Sequence, residues 1–437
     1  MRWDFRGRDH RWASGTYVDF FLASGMMTFL YIIALSVITV TMNDWYRDNI
    51  DLLAHASFLV VGFGWLGALL MGIGFDILPL IHRVTAFDQG VLKLTIGLNI
   101  SGQLAMLLAI LTFDAAILRR VGLYGATLLG MQFLVVGPSA WRAFRGRVRG
   151  DDPVSGFTHT LPIFFPLIGV SAIVSWMMAD SDHALVVFKA IFAEGFWSLI
   201  MMAILLGHFN RRLDWDIIPS NRTRATFLVL VFAVVAHVAL TWARVSDLYV
   251  GDWTRFSYAA LLALVFLFSR PDKTLRFAWF ERRPHSSLIL AAQMMIPYAA
   301  VLATLEAAYG EVVFFSHYGV HIMMLSALPM GFWGFAFWLH EDHCHLDIKE
   351  RSSNRTMVIL MVIGSLFFCW LGLMDVGLAQ EVGWARPIDM IVAIFALSYP
   401  AAWWAKEAFF DPPEWHRLPM YYGTLHQEED PYILGEE

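Results

Sequence analysis

Stretches of about 20 consecutive apolar residues, the length needed to cross a bilayer as a helix, recur along the whole chain with short polar breaks between them. Twelve such runs fall at 17–41, 52–80, 93–113, 122–141, 159–179, 184–207, 225–245, 254–269, 287–306, 312–339, 356–377 and 388–405. The composition agrees: 58% of the residues are apolar and only 16% are charged, and the mean hydropathy is +0.57. No soluble domain of 437 residues has this balance. The expectation is an all-α integral membrane protein of twelve spans, with residues 1–437 forming one polytopic domain in contact with the lipid bilayer. Residues 1–16 precede the first span, and residues 406–437 form an acidic tail, HQEEDPYILGEE at its end.

Arginine placement sets the expected orientation. The amino terminus (Arg2, Arg6, Arg8, Arg11), WRAFRGRVRG at 141–150, NRRLDWDIIPSNRTR at 210–224 and FERRPH at 280–285 are Arg-rich and fall at the start or after even-numbered spans. Both termini are therefore expected in the cytoplasm. The alternate loops, NDWYRDNID and MADSDH among them, are short and acidic, and only Arg119 and Arg120 break the pattern. The first run is too long for a secretory signal and has no small-residue cleavage site, so it reads as span one. Two cysteines, Cys344 and Cys369, exclude a disulfide framework, and CxxCH is absent. No P-loop, no GxGxxG opening a βαβ unit and no nucleic-acid partner is indicated, and no internal repeat stands out.

The fifteen histidines sort by depth on this map. Ten, including His208 and His285, fall in cytoplasmic segments or at the inner ends of spans. The other five are His55 in span two, His183 in span six, His237 in span seven, and His317 and His321 in span ten. All five lie in the outer part of the membrane, on four helices. A polar group in hydrocarbon is costly unless it has a partner, so five imidazoles at one depth point to something they all meet. Neutral imidazole is a ligand for haem iron, copper and zinc, and bundle cores hold such sites between facing helices. His317 and His321 differ by about 40° around a helix and share a face.

In span two, Gly62 follows His55 by seven residues, with Gly64 and Gly67 beyond it. Small residues on that face leave room for a macrocycle, and equally serve the close packing of membrane helices. Lys189 and Glu194 in span six are candidate catalytic residues, since intramembrane ionisable groups are functional by default. They are about 140° apart on an ideal α-helix, which leaves a proton path, a substitute for a metal charge, and separate pairing with other helices all open. HEDHCHLD at 340–347 contains His340, His343, Cys344, His345 and Asp347 at no recognised zinc spacing, and reads equally as a solvated polar turn.

Twelve spans with histidines in spans two, six, seven and ten resemble the catalytic subunit of the haem-copper oxidase superfamily. Locally, AHVALT at 236–241 is similar to that family's AHH-x-[FY]-T, and HYGVHIMMLS at 317–326 to its AHFHYVLS. The resemblance implies haem b, one or two, in the cytoplasmic membrane of a bacterium or archaeon. His55 and His321 would ligate a low-spin haem, His317 a high-spin haem, and His183 and His237, with His317 facing them, a copper or non-haem iron. Arg386 and Arg244 would hold haem propionates, as Arg119 and Arg120 could; interfacial anchoring is the plainer reading of each.

The chain departs from that pattern at several positions. His237 is followed by Val238 where the family has a second histidine, and His317 and His321 are spaced by four instead of two. Val187 stands where oxygen-reducing members have tyrosine, and Glu194 is eleven residues after His183. A short branch such as the NnrS-type membrane haem proteins of nitric oxide metabolism is the nearer likeness, with LLGHFNRRL at 205–213 similar to its LGHTGRPL. The activity implied is electron transfer from quinol, a donor subunit or a cytochrome to nitric oxide or oxygen. The alternative from a different class is a proton-coupled secondary transporter without cofactor, in which Lys, Glu and His bind substrate or protons.

Overall fold

In a bilayer core no water is available to the peptide groups, so a long apolar segment satisfies its amides internally and becomes a helix. The computed structural model describes residues 10–72, 89–145, 155–179, 181–212, 217–248, 250–278, 284–309, 318–335, 356, 359–364 and 366, and among them secondary structure is helical throughout. The elements are α1 (His10–Thr41), α2 (Asn43–Asp48), α3 (Ile50–Gly72), α4 (Gln89–Ile110), α5 (Ala115–Arg145), α6 (Ser155–Met177), α7 (182–212), α8 (Ser220–Val245), α9 (Ser257–Phe268), α10 (Pro271–Ala278), α11 (Pro284–Tyr309) and α12 (318–335). Six of them, α3, α4, α5, α7, α8 and α11, are long and apolar enough to cross a membrane, and shorter apolar helices cover Ser24–Ile38, Ile163–Met177 and Gly319–Phe335. The runs at 356–377 and 388–405 lie largely or wholly outside the described residues.

Helix α7 is the axis of the bundle. Of its most apolar window 89% is buried, against 33% for α8, which shows most of its surface to the surroundings. Around α7 stand α3 and α12, both parallel to it. Their direction follows from pairs in register: His55 meets Phe188 and Phe63 meets Phe192 between α3 and α7, while Gly331 meets Ile204 and Gly207 meets Phe335 between α12 and α7.

Small residues set the closest helix crossings, as expected where apolar burial gives no drive for association in lipid. At the α5–α6 crossing a Cβ on Gly130 would sit 2.5 Å from the Gly169 carbonyl oxygen, and one on Gly169 would sit 2.6 Å from the Gly130 carbonyl oxygen. Only hydrogen at both positions allows this approach.

The three parallel helices each contain a π turn: Val60–Leu66 in α3, Ala190–Phe196 in α7 and Met323–Ala327 in α12. A π turn hydrogen-bonds i→i+5 and widens the helix, which shifts side-chain phase and disturbs the carbonyl ladder. In α3 the affected carbonyls are capped from outside by a buried amide cluster. Asn99 Nδ2 donates to the Gly64 carbonyl at 2.8 Å, and Gln132 Nε2 donates to the Phe63 carbonyl at 2.7 Å. Ser24 Oγ donates to the same Gly64 carbonyl at 2.9 Å, and Gln103 Nε2 joins Ser24 Oγ and Asn99 Oδ1 at 2.7 and 2.8 Å. Four helices, α1, α3, α4 and α5, are thereby tied together by polar groups in an apolar bundle.

Candidate functional site: a buried Lys–Glu–His cluster

The π turn in α7 decides where Lys189 and Glu194 point. On a regular α-helix residues five apart diverge, whereas i→i+5 winding brings them to one face. Lys189 Nζ lies 3.2 Å from Glu194 Oε1, and both side chains are almost wholly buried. The wide angle expected between them is thus removed by the local winding, and they pair directly.

The second carboxylate oxygen reaches α8. Glu194 Oε2 is 2.7 Å from His237 Nε2, and His237 Nδ1 is 2.8 Å from Ser257 Oγ at the start of α9. Both ring nitrogens are therefore engaged. When the Nε2 proton is present the imidazole donates it to the carboxylate, and Nδ1 then accepts from the Ser257 hydroxyl. A protonated ring donates at both positions. Four side chains from three helices form one chain, Lys189–Glu194–His237–Ser257.

Further ionisable groups close around it. Arg244 and Glu306 lie near enough to interact electrostatically with the cluster, and His321, half-buried on α12, is close enough to feel Lys189. Glu306 is itself buried and accepts from the Gly319 backbone N–H where α12 begins. Tyr258 packs its ring 5.8 Å from His237, and its hydroxyl is buried with no hydrogen-bond partner among the described residues. The ionisable groups thus converge from α7, α8, α11 and α12.

The other expected ligands are placed differently. His55 is buried, with Nε2 3.3 Å from Ser175 Oγ and its ring against Trp176 and Phe188. His183 is exposed at the start of α7, next to Ser181, whose hydroxyl caps that helix. Arg244 is partly buried on α8, within electrostatic range of Glu194. His317, Arg386 and the 340–347 segment lie outside the described residues. Among the described residues no group of three or more His, Cys, Asp or Glu side chains is arranged to hold a metal ion.

A haem on the Gly62 face can be tested against the packing. A Cβ on Gly62 would sit 2.6 Å from Phe192 Cε1 and 3.0 Å from Met324 Cε, so the room expected below His55 is filled by these two side chains. Phe192 is held there by stacking with Phe188 and Phe196, with ring centroids 5.7 and 6.1 Å apart. Gly64 is similarly covered by Gln103. The Gly62–Met324 contact also fixes relative depth: His55 lies seven residues before it and His321 three, an offset of four residues or about 6 Å along parallel helices. As packed, these residues do not fit a macrocycle ligated by both. The glycines serve close packing.

Glu306, Ser257 and the Asn99–Gln103–Gln132 amides are the participants that the histidine pattern does not point to. Glu306 had a readable signal, being an ionisable residue at the end of an apolar run. No protein-family model matches the chain, and no curated protein matches it.

Proposed function

We propose that this chain is a proton-coupled membrane transporter in which Glu194 carries the proton, within a twelve-span topology. The observation that supports this reading is the carboxylate of Glu194 held between the Lys189 ammonium and the His237 imidazole inside the bundle, at 3.2 and 2.7 Å. Burying ionisable groups in a membrane protein is costly. Well-packed apolar side chains would join the same helices at no greater cost, so adhesion alone gives no reason for the cluster.

The chemistry follows from the arrangement. Lys189 and His237 hold the Glu194 carboxylate from either side, and a proton reaching it weakens its hold on both neighbours. His237 can deliver that proton from Nε2 and recover one at Nδ1 through Ser257, a transfer that leaves the imidazole neutral in its other tautomer. Glu306, near Lys189, supplies a second carboxylate to which the ammonium can turn. A protonation event at Glu194 therefore changes contacts among α7, α8 and α11, as a coupled transporter requires.

The test is proton movement in vesicles containing the purified protein and an internal pH dye, with a potassium diffusion potential as the drive. Wild type should acidify the lumen faster than protein-free vesicles, and Glu194→Gln should abolish the difference. Equal rates in wild type and Glu194→Gln would overturn the assignment of Glu194.

A second reading is a haem b redox protein, with His55 and His321 holding one haem and a copper or non-haem iron at His183 and His237, reducing nitric oxide or oxygen with electrons from quinol or a donor subunit. A buried imidazole at His55, set against Trp176 and Phe188, is the observation that favours it. It requires Phe192 and Met324 to leave Gly62. A pyridine haemochrome assay with metal analysis on the purified protein decides it: b-type bands support the haem, and a colourless, metal-free protein removes it.

A further inference from the structure

At the opposite end of α7 a second set of buried titratable groups has no part in the Glu194 cluster. His208 is fully buried in the π turn Gly207–Arg212, and His285 is almost fully buried in the first turn of α11. Their rings stand 5.1 Å apart at 74°, edge to face. One hydroxyl joins them: Ser286 Oγ is 3.2 Å from His208 Nε2 and 3.1 Å from His285 Nδ1.

We propose that His208, Ser286 and His285 form a proton-transfer wire that gives the Glu194 site access to the other side of the membrane. The inference rests on the proton-handling reading of Glu194. A serine hydroxyl has one proton to give and lone pairs to accept, so between two imidazoles it accepts from one and donates to the other. A proton taken up at His208 Nδ1 releases the Nε2 proton to Ser286 Oγ, which passes its own proton to His285 Nδ1. His285 then releases a proton from Nε2. One proton enters and one leaves, each ring ends in its other tautomer, and no other bond changes. The reverse sequence runs equally.

Two further observations connect this end with the Glu194 end. The same two helices carry both sets: α7 holds Glu194 and His208, and α11 holds His285 and Glu306. Between them in depth are two buried polar atoms without a hydrogen-bond partner among the described residues, Trp197 Nε1 and Ser326 Oγ. Trp197 faces α12, with its ring 6.0 Å from that of Phe332. The Gly331–Ile204 and Gly62–Met324–Phe192 contacts put Ser326 of α12 close to the level of Trp197. A bound water bridging buried polar atoms is an ordinary way to satisfy them, and here it would extend the route by one helical turn from Glu194 toward His208.

The experiment uses the full chain in vesicles and compares wild type, Ser286→Ala and Glu194→Gln, with nitrogen-15 histidine spectra of the same samples. The wire predicts that Ser286→Ala slows proton flux by about a hundredfold, the lower range of what a positioned proton-transfer group contributes. It also predicts both tautomers for His208 and His285 in wild type, with exchange between them lost in Ser286→Ala. Wild-type flux in Ser286→Ala, or rings locked in a single tautomer in wild type, would overturn it. Because the spectra do not depend on flux, the two ideas fail separately. Unchanged flux in Glu194→Gln with intact tautomer exchange removes the Glu194 reading, and abolished flux in Glu194→Gln with no effect of Ser286→Ala removes the wire. Ser286→Thr, which keeps the hydroxyl, should restore exchange, whereas a merely structural serine would give no rescue of exchange.

Discussion

Removing the charges of Glu194 and Lys189 together should cost the bundle clearly less than the sum of removing each alone. At 3.2 Å two unit charges in surroundings of effective dielectric constant about 20 attract by about 5 kcal/mol. Much of that is offset by the cost of taking both from water, but breaking such a pair on one side leaves the other charge stranded, at about 3–5 kcal/mol. Glu194→Gln keeps the shape and a hydrogen bond to His237 while stranding Lys189; Lys189→Met strands Glu194. Each single variant should lose about 3–5 kcal/mol, and the double variant should be more stable than their sum by about 2–3 kcal/mol, the coupling of a contacting pair. Reversible unfolding in mixed micelles of increasing denaturing-detergent fraction gives all four values on one scale. A coupling below about 0.5 kcal/mol, the level at which independent sites add, would refute a direct Lys189–Glu194 pair and with it the role assigned to the π turn.

Other consequences can be checked in the same system. Gly130→Ala pushes a Cβ against the Gly169 carbonyl, and should cost about 1–3 kcal/mol by overpacking; Gly97→Ala, with open space around it, should change stability by no more than about 1 kcal/mol. Asn99→Leu removes a donor to the Gly64 carbonyl and one to Gln132, and should cost about 1–3 kcal/mol. Its amide hydrogen exchange should rise selectively at residues 60–66, and unchanged exchange there would separate the amide cluster from the π turn. For the haem reading, His55→Ala and His321→Ala should each remove b-type bands; a full wild-type spectrum in both variants would exclude these ligands.

The helical membrane architecture was legible in the apolar runs because backbone satisfaction in lipid leaves so few choices. Helices α3, α4, α5, α7, α8 and α11 fall close to the runs that the sequence shows. Lys189 and Glu194 were legible as intramembrane ionisable residues for the same reason. Their pairing was not, because it depends on a π turn, and neither AIFAEGF nor its neighbours carries a signature that distinguishes i→i+5 from i→i+4 winding. The amide cluster was hidden for a related reason: Asn99 and Gln132 have backbone carbonyls as their main acceptors, and these are exposed to them only where α3 widens. Gly62 illustrates the opposite difficulty. A small residue reads equally as space or as contact, and only the position of Phe192 shows that here it is contact.

The most direct test of the central claim is infrared difference spectroscopy of the reconstituted protein across a pH step, following the carboxylic-acid C=O band with and without deuterium. The expected result is a protonated-carboxyl band that rises on acidification, shifts on deuteration and is missing from Glu194→Gln, with a matching histidine ring change missing from His237→Ala. A carboxyl signal that is unchanged by Glu194→Gln would contradict Glu194 as the proton carrier.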